Sequence, residues 1–186
     1  LNILVYSIMS LITQSNRKWW ALCATSASLS MIFFDQSGLP IALPSIQRDL
    51  NLSPYLLQWT INAYLLTLAV LIILGGKLGD RFSHRRVFLA GMIVFITSSI
   101  LCALAPTSTW LIASRTLQGI GGALMMPTAG PLFRTIVPPN EFGKMIGLYV
   151  SIASIFLILG PTLGGFFSTY LSWRWIFWVN FPVALF

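Results

Sequence analysis

Charge is scarce in this sequence. Eleven Lys and Arg and four Asp and Glu are all it carries in 186 residues, or 8% of the chain, where a soluble domain has about a quarter. With 56% hydrophobic residues and a mean hydropathy of +0.83, an ordinary soluble domain is excluded. A single histidine and four acids leave no material for a metal centre or a Ser-His-Asp triad. The two cysteines, Cys23 and Cys102, fall inside apolar runs with no ligand spacing and read as free buried thiols. Gly75-Gly76-Lys77 is not a phosphate loop, because no Gly stands five residues before Gly76 and Leu78 sits where Ser or Thr is needed. No enzyme pattern remains. The net charge of +7 does not point to nucleic acid either, since the basic residues stand at the ends of apolar runs, as in membrane proteins.

What is present is a series of long apolar stretches. In hydrocarbon every backbone polar group must be paired internally, so only helices or a closed barrel can span, and continuous runs without period-two alternation select helices. The expected fold is an all-α integral membrane protein. Leu1 to Ile12 is too short to span and has neither a basic region before it nor a cleavage site after it, so it does not read as a signal peptide. Because Met9 precedes a polar piece ending in Arg17 and Lys18, residues 1–8 read as an over-extended start. Residues 1–18 are assigned to an N-terminal cytoplasmic segment and 19–186 to a helical bundle, with spans at about 19–44, 55–76, 87–105, 109–133 and 144–170 and an incomplete one at 175–186. Pro40 and Pro44 are expected to interrupt the first helix, and Arg48, Asp49, Asn51 and Pro54 to form an external loop whose charges nearly cancel.

The stretch from Gly75 to Arg86 organises the chain. It holds five of the fifteen charged residues and the only histidine, between two uncharged rods. Arg17, Lys18, Lys77, Arg81, Arg85, Arg86, Arg134 and Lys144 fall on one side of the membrane, against Arg48 and Arg174 on the other. The positive-inside rule makes the first side cytoplasmic. Trp173, Arg174 and Trp175 read as an interfacial aromatic belt. Two charges lie within spans, Asp35 and Arg115; such residues cost about 2.5 to 3.5 kcal/mol on insertion scales and normally pair or face a cavity. Gln58 and Asn62, four residues apart, either line a polar path or serve as packing glue between helices.

Four motifs in order make the chain resemble the N-terminal half of a major facilitator superfamily transporter, in particular the fourteen-span drug:proton antiporters. The first is the loop Gly76, Leu78, Asp80, Arg81, Arg85 and Arg86, with Ser83 where Gly is usual and His84 where Arg is usual. The resemblance implies a latch between the two halves; a purely topogenic positive cluster is the other reading. His84 reads either as a pH sensor or as a solvated loop histidine. The second is Asp35-Gln36-Ser37 with Ala42, Leu43 and Pro44, where Pro40 replaces the usual Asn. The third, Arg115, Gln118, Gly119 and Gly121, is associated in the family with proton transfer. The fourth, Gly147 with Gly160, Pro161, Gly164 and Gly165, resembles the antiporter signature, with Phe156 in place of an intermediate Gly. In the family it seals against a leak, and plain helix packing is the alternative.

Asp35 lies nine residues below Pro44 and Arg115 nine below Pro106, so both sit on the order of 13 Å beneath the outer boundary and are expected to face one another. A guanidinium favours the ionised carboxylate, whereas burial favours the neutral acid. Moving Arg115 relative to Asp35 would therefore load or release a proton, with Asp35 as proton and cation acceptor and Arg115 as modulator; a static ion pair is the alternative. The expected function is proton-coupled export of drugs or other amphipathic or cationic molecules from a bacterial inner membrane, with Gln118 as a further cavity residue. No cofactor or metal is expected beyond the proton gradient. The expected partners are lipid, small molecules and a C-terminal half outside this sequence, and a truncated, non-transporting membrane fragment is the alternative.

Overall fold

The computed structural model describes residues 17–184. The N-terminal expectations for residues 1–16, and the last two residues of the incomplete span, lie outside the described residues. Among the described residues seven helices follow in order: α1 Arg17–Leu50, α2 Pro54–Phe82, α3 His84–Ala103, α4 Ser108–Arg134, α5 Phe142–Tyr170, α6 Trp175–Trp178 and α7 Asn180–Ala184. The fold is the all-α bundle expected from the apolar runs. α2, α3 and α5 are each long and apolar enough to cross a membrane. α1 and α4 instead carry most of the buried polar side chains, among them Ser30, Asp35, Ser114, Arg115 and Gln118, so the polar groups are inside the bundle.

α1 does not break at its prolines. Its 34 residues run through Pro40 and Pro44, about 51 Å of helix, against a hydrocarbon core of about 30 Å. A proline inside a helix normally costs about 3 kcal/mol, but spans tolerate it where neighbouring helices hold the chain. Here α5 lies along α1, and Leu39, Ala42 and Ile46 are fully buried between the two prolines and just beyond. The chain leaves α1 through Asn51 at φ 50°, a left-handed position that Asn tolerates. α2 then starts at Pro54, with the Ser53 hydroxyl accepting from Leu56 N–H at 3.4 Å.

The charged stretch, expected as a loop, is helical on both sides of a single residue. α2 continues helically through Gly75, Gly76 and Gly79 to Phe82, and α3 begins at His84. The turn is one residue, Ser83, at φ 123° and ψ 126°. Gly75 and Gly79 serve packing instead; a Cβ on Gly79 would lie 2.8 Å from Thr128 Cγ2 of α4. A positive φ is costly for a side chain with a Cβ, which gives a physical reason why the family pattern has Gly where Ser83 stands.

α4 is clamped between α2 and α3 by backbone approach. A Cβ on Gly119 would sit 2.7 Å from the Tyr64 carbonyl oxygen of α2, and one on Gly121 2.6 Å from the Phe95 nitrogen of α3. Small residues permit such close crossings in membranes, where packing rather than the hydrophobic effect drives association. Within the stretch expected as a span at 175–186, the described residues form two short helices, α6 and α7. Pro182 has no N–H to give the Trp178 carbonyl, so the break falls at Val179.

Arg174 has a structural partner at the outer end. It meets Asp49 at 2.5 Å and donates to the Ala105 carbonyl at 3.1 Å, while Trp173 Nε1 donates to Asp49 at 2.9 Å. This clasp joins the ends of α1 and α3 to the start of α6, and Trp173 is buried rather than belted at the surface. Asp49 therefore pairs across the bundle with Arg174. The Arg174 and Trp173 hydrogen bonds hold its carboxyl below the ordinary value.

Candidate functional site

Asp35 sits midway along α1 and Arg115 two turns into α4, and they meet at 2.5 Å with 0% and 1% exposure. Arg115 Nη1 donates to Asp35 Oδ2 and, at 2.8 Å, to Gln118 Oε1. Its Nε donates at 3.0 Å to the Thr60 carbonyl of α2. Gln118 Nε2 donates to the other Asp35 oxygen at 3.4 Å, and the Cys102 thiol of α3 donates to Gln118 Oε1 at 3.7 Å. The guanidinium lies over the Tyr64 ring, 4.3 Å from its centroid, with Phe177 of α6 at 5.8 Å. One pair of charges thus draws groups from α1, α2, α3, α4 and α6.

Removing one partner from a buried ion pair leaves an uncompensated charge and costs about 3 to 5 kcal/mol, while the intact pair contributes little net stability because both ions were desolvated. Such a pair therefore adds little to holding the helices together. A cavity of about 160 Å³ opens beside it, lined by Asp35, Gln36, Leu39, Pro40, Ile61, Tyr64, Leu65 and Arg115. That admits a few waters but not a drug-sized molecule, which takes about 300 to 1,000 Å³.

Of the residues expected at the site from sequence, Asp35, Arg115 and Gln118 are brought together. Gln58 and Asn62 are exposed and do not line this cavity. In the loop motif, Asp80 meets His84 Nε2 at 3.1 Å. Arg81, Arg85 and Arg86 are exposed and Gly76 is half-buried. The antiporter motif is divided in its contacts. Gly160 and Gly164 press on Ser37 and Gly38 of α1, just above Asp35, and Gly165 lies against Ile41. Gly147 would meet nothing within 4 Å, and Pro161 is exposed. Thr60, Tyr64, Gln36 and Cys102 were missed from sequence. Thr60 acts through its carbonyl, which leaves no sequence signal, but Tyr64, one turn further along α2, was open to inference as an aromatic partner for an intramembrane Arg.

Apolar helices that pack around a buried, cavity-facing carboxylate–guanidinium pair define a multi-pass membrane protein of the transporter class. The Major Facilitator Superfamily description matches residues 25–186, and the chain belongs to that superfamily. It is 39% identical over 170 residues to the puromycin resistance protein pur8 of Streptomyces alboniger, covering 91% of this chain and 34% of that protein. It is 38% identical to the tetracenomycin C resistance and export protein of Streptomyces glaucescens, over 91% of this chain and 31% of that one. A putative multidrug resistance protein MdtD of Pectobacterium carotovorum is 37% identical, over 89% and 36% respectively. The chain spans about a third of the length of these curated relatives.

Proposed function

We propose that this chain works as the N-terminal half-bundle of a proton-coupled exporter of amphipathic or cationic small molecules. Its N-terminus is cytoplasmic in a bacterial inner membrane, the proton gradient supplies the energy, and a second half-bundle completes the substrate cavity. The observation that carries the reading is the fully buried Asp35–Arg115 pair beside a cavity. The relatives named for resistance and export support the direction of transport. The positive-inside count supports the orientation.

In this mechanism a proton entering the cavity forms an O–H bond on Asp35, and the carboxyl ceases to be an ionic partner. Arg115 then loses its ionic tie to α1 and keeps its bonds to Gln118 and to the Thr60 carbonyl and its place over the Tyr64 ring, all outside α1. Its attachment passes from α1–α4 to α2–α4, which loosens α1, and with it the α5 motif packed on Gly38, against the rest of the bundle. A cationic substrate competes with the proton for the same carboxylate, so binding one releases the other. Transporters of this architecture alternate access by rocking two half-bundles about a midplane site. The 160 Å³ cavity is too small for a drug, in keeping with a substrate site shared with the other half. The exposed Arg81, Arg85 and Arg86 on the cytoplasmic side are the groups available to a latch across that interface.

The test is dye export driven by an imposed pH gradient, in everted vesicles carrying the transporter with both half-bundles. Asp35→Asn is expected to abolish gradient-driven export while the protein still inserts. Gradient-driven export at the wild-type rate in Asp35→Asn would sink the proton role.

A further inference from the structure

We infer that the aromatic ring of Tyr64 is a positioning element that holds Arg115 when Asp35 is protonated, and so sets the pH at which the pair switches. This rests on the proton-coupling reading above. Three observations carry it. The guanidinium stacks over the ring at 4.3 Å, closer than any other aromatic face. The ring and the Thr60 carbonyl that accepts from Arg115 Nε at 3.0 Å sit four residues apart on α2, so α2 offers the cation a two-point seat independent of Asp35. The Tyr64 side chain is 0% exposed, and its hydroxyl faces Gln36 of α1 without a hydrogen bond of ordinary geometry. It is the ring, and not the hydroxyl, that meets the guanidinium.

The sign follows from the ring quadrupole. With Asp35 ionised, the ring attracts the guanidinium and repels the neighbouring carboxylate, and the two effects largely offset. With Asp35 neutral, the ring faces a net positive charge and stabilises it, the more so without water. Removing the ring thus penalises the protonated state. The other groups that face the pair are Gln118 on α4, Cys102 on α3 through Gln118, and Phe177 on α6 at 5.8 Å from the guanidinium. Where α5 meets α1 beside Asp35 it presents Gly160 and Gly164, which are neither titratable nor charged.

The test is infrared difference spectroscopy of the 186-residue chain in lipid nanodiscs across pH, following the protonated-carboxyl band identified by its loss in Asp35→Asn. Tyr64→Phe is expected to leave the pH of half-protonation unchanged, and Tyr64→Leu to move it down by about one unit. Should Tyr64→Leu fail to fold, phenylalanines of increasing fluorination at position 64 keep the shape while weakening the ring quadrupole, and are expected to move the midpoint down stepwise. A midpoint indifferent to Leu or to fluorination overturns the inference and leaves the proton reading standing. An equal shift in Phe and Leu also overturns it, since the hydroxyl would then be the active group. If no Asp35 band develops in the unaltered chain, the proton reading fails and takes this inference with it.

Discussion

Gly164→Ala is expected to destabilise the bundle while Gly147→Ala, in the same helix and the same motif, stabilises it. A Cβ on Gly164 would stand 2.6 Å from the Gly38 carbonyl oxygen and 3.1 Å from the Gly38 Cα and carbonyl carbon. These are backbone atoms of α1 and cannot rotate aside, so the two helices must separate by several tenths of an ångström. Overpacking of this kind costs about 1 to 3 kcal/mol, and the helix-propensity gain of Ala over Gly returns about 0.5 to 1 kcal/mol. The net loss is on the order of 1 to 2 kcal/mol. At Gly147 nothing lies within 4 Å, so only the gain of about 0.5 to 1 kcal/mol remains. Gly165→Ala places its Cβ at an ordinary contact distance, 3.7 Å, from Ile41 Cγ2, and is expected to stabilise much as Gly147→Ala does. Unfolding of the chain in mixed micelles by a titrated denaturing detergent, followed by circular dichroism, measures all three. Equal effects for Gly164→Ala and Gly147→Ala would refute the assignment of the motif's outer half to the α1–α5 contact.

Two other substitutions probe the turn and the outer clasp. Ser83→Gly relieves a φ of 123° at a residue whose side chain makes no capping bond, and is expected to raise stability in the same assay by about 1 kcal/mol; a loss of stability would show that Ser83 is not strained. Asp49 is held below its ordinary value, so the clasp's contribution is fully present above about pH 4 and is lost as pH falls through the lowered value. Its partly exposed geometry limits it to under about 1 kcal/mol. Asp49→Asn is expected to flatten the acid limb of the stability profile, and an unchanged acid limb would remove Asp49 from it.

The apolar rods were legible because in a bilayer composition alone fixes helix, and the equal depth of Asp35 and Arg115 below Pro44 and Pro106 was enough to anticipate that they face each other. What escaped depends on neighbours. Pro40 and Pro44 read as breaks because propensity is local, yet α1 runs through both where α5 packs along it. The motif from Gly76 to Arg86 read as a loop, but α2 runs on helically to Phe82, the missing side chains of Gly75 and Gly79 make room for α4, and the turn falls on Ser83. Gln58 and Asn62 shared a helix face, and periodicity does not say whether a polar face turns inward or outward; here both are exposed. Arg174 had the sequence signature of an interfacial belt, and only the fold brings it to Asp49, 125 residues away along the chain.

The most direct test of the central claim, that one carboxylate exchanges a proton for a cation, is a count of protons released on cation binding. A lipophilic cation such as tetraphenylphosphonium is titrated into the detergent-solubilised transporter, both half-bundles present, in weak buffer with a pH-indicator dye. About half a proton is expected to be released per cation bound at the midpoint of Asp35 titration, rising to about one well below it, and none in Asp35→Asn. Cation binding without proton release, or release that persists in Asp35→Asn, would contradict it.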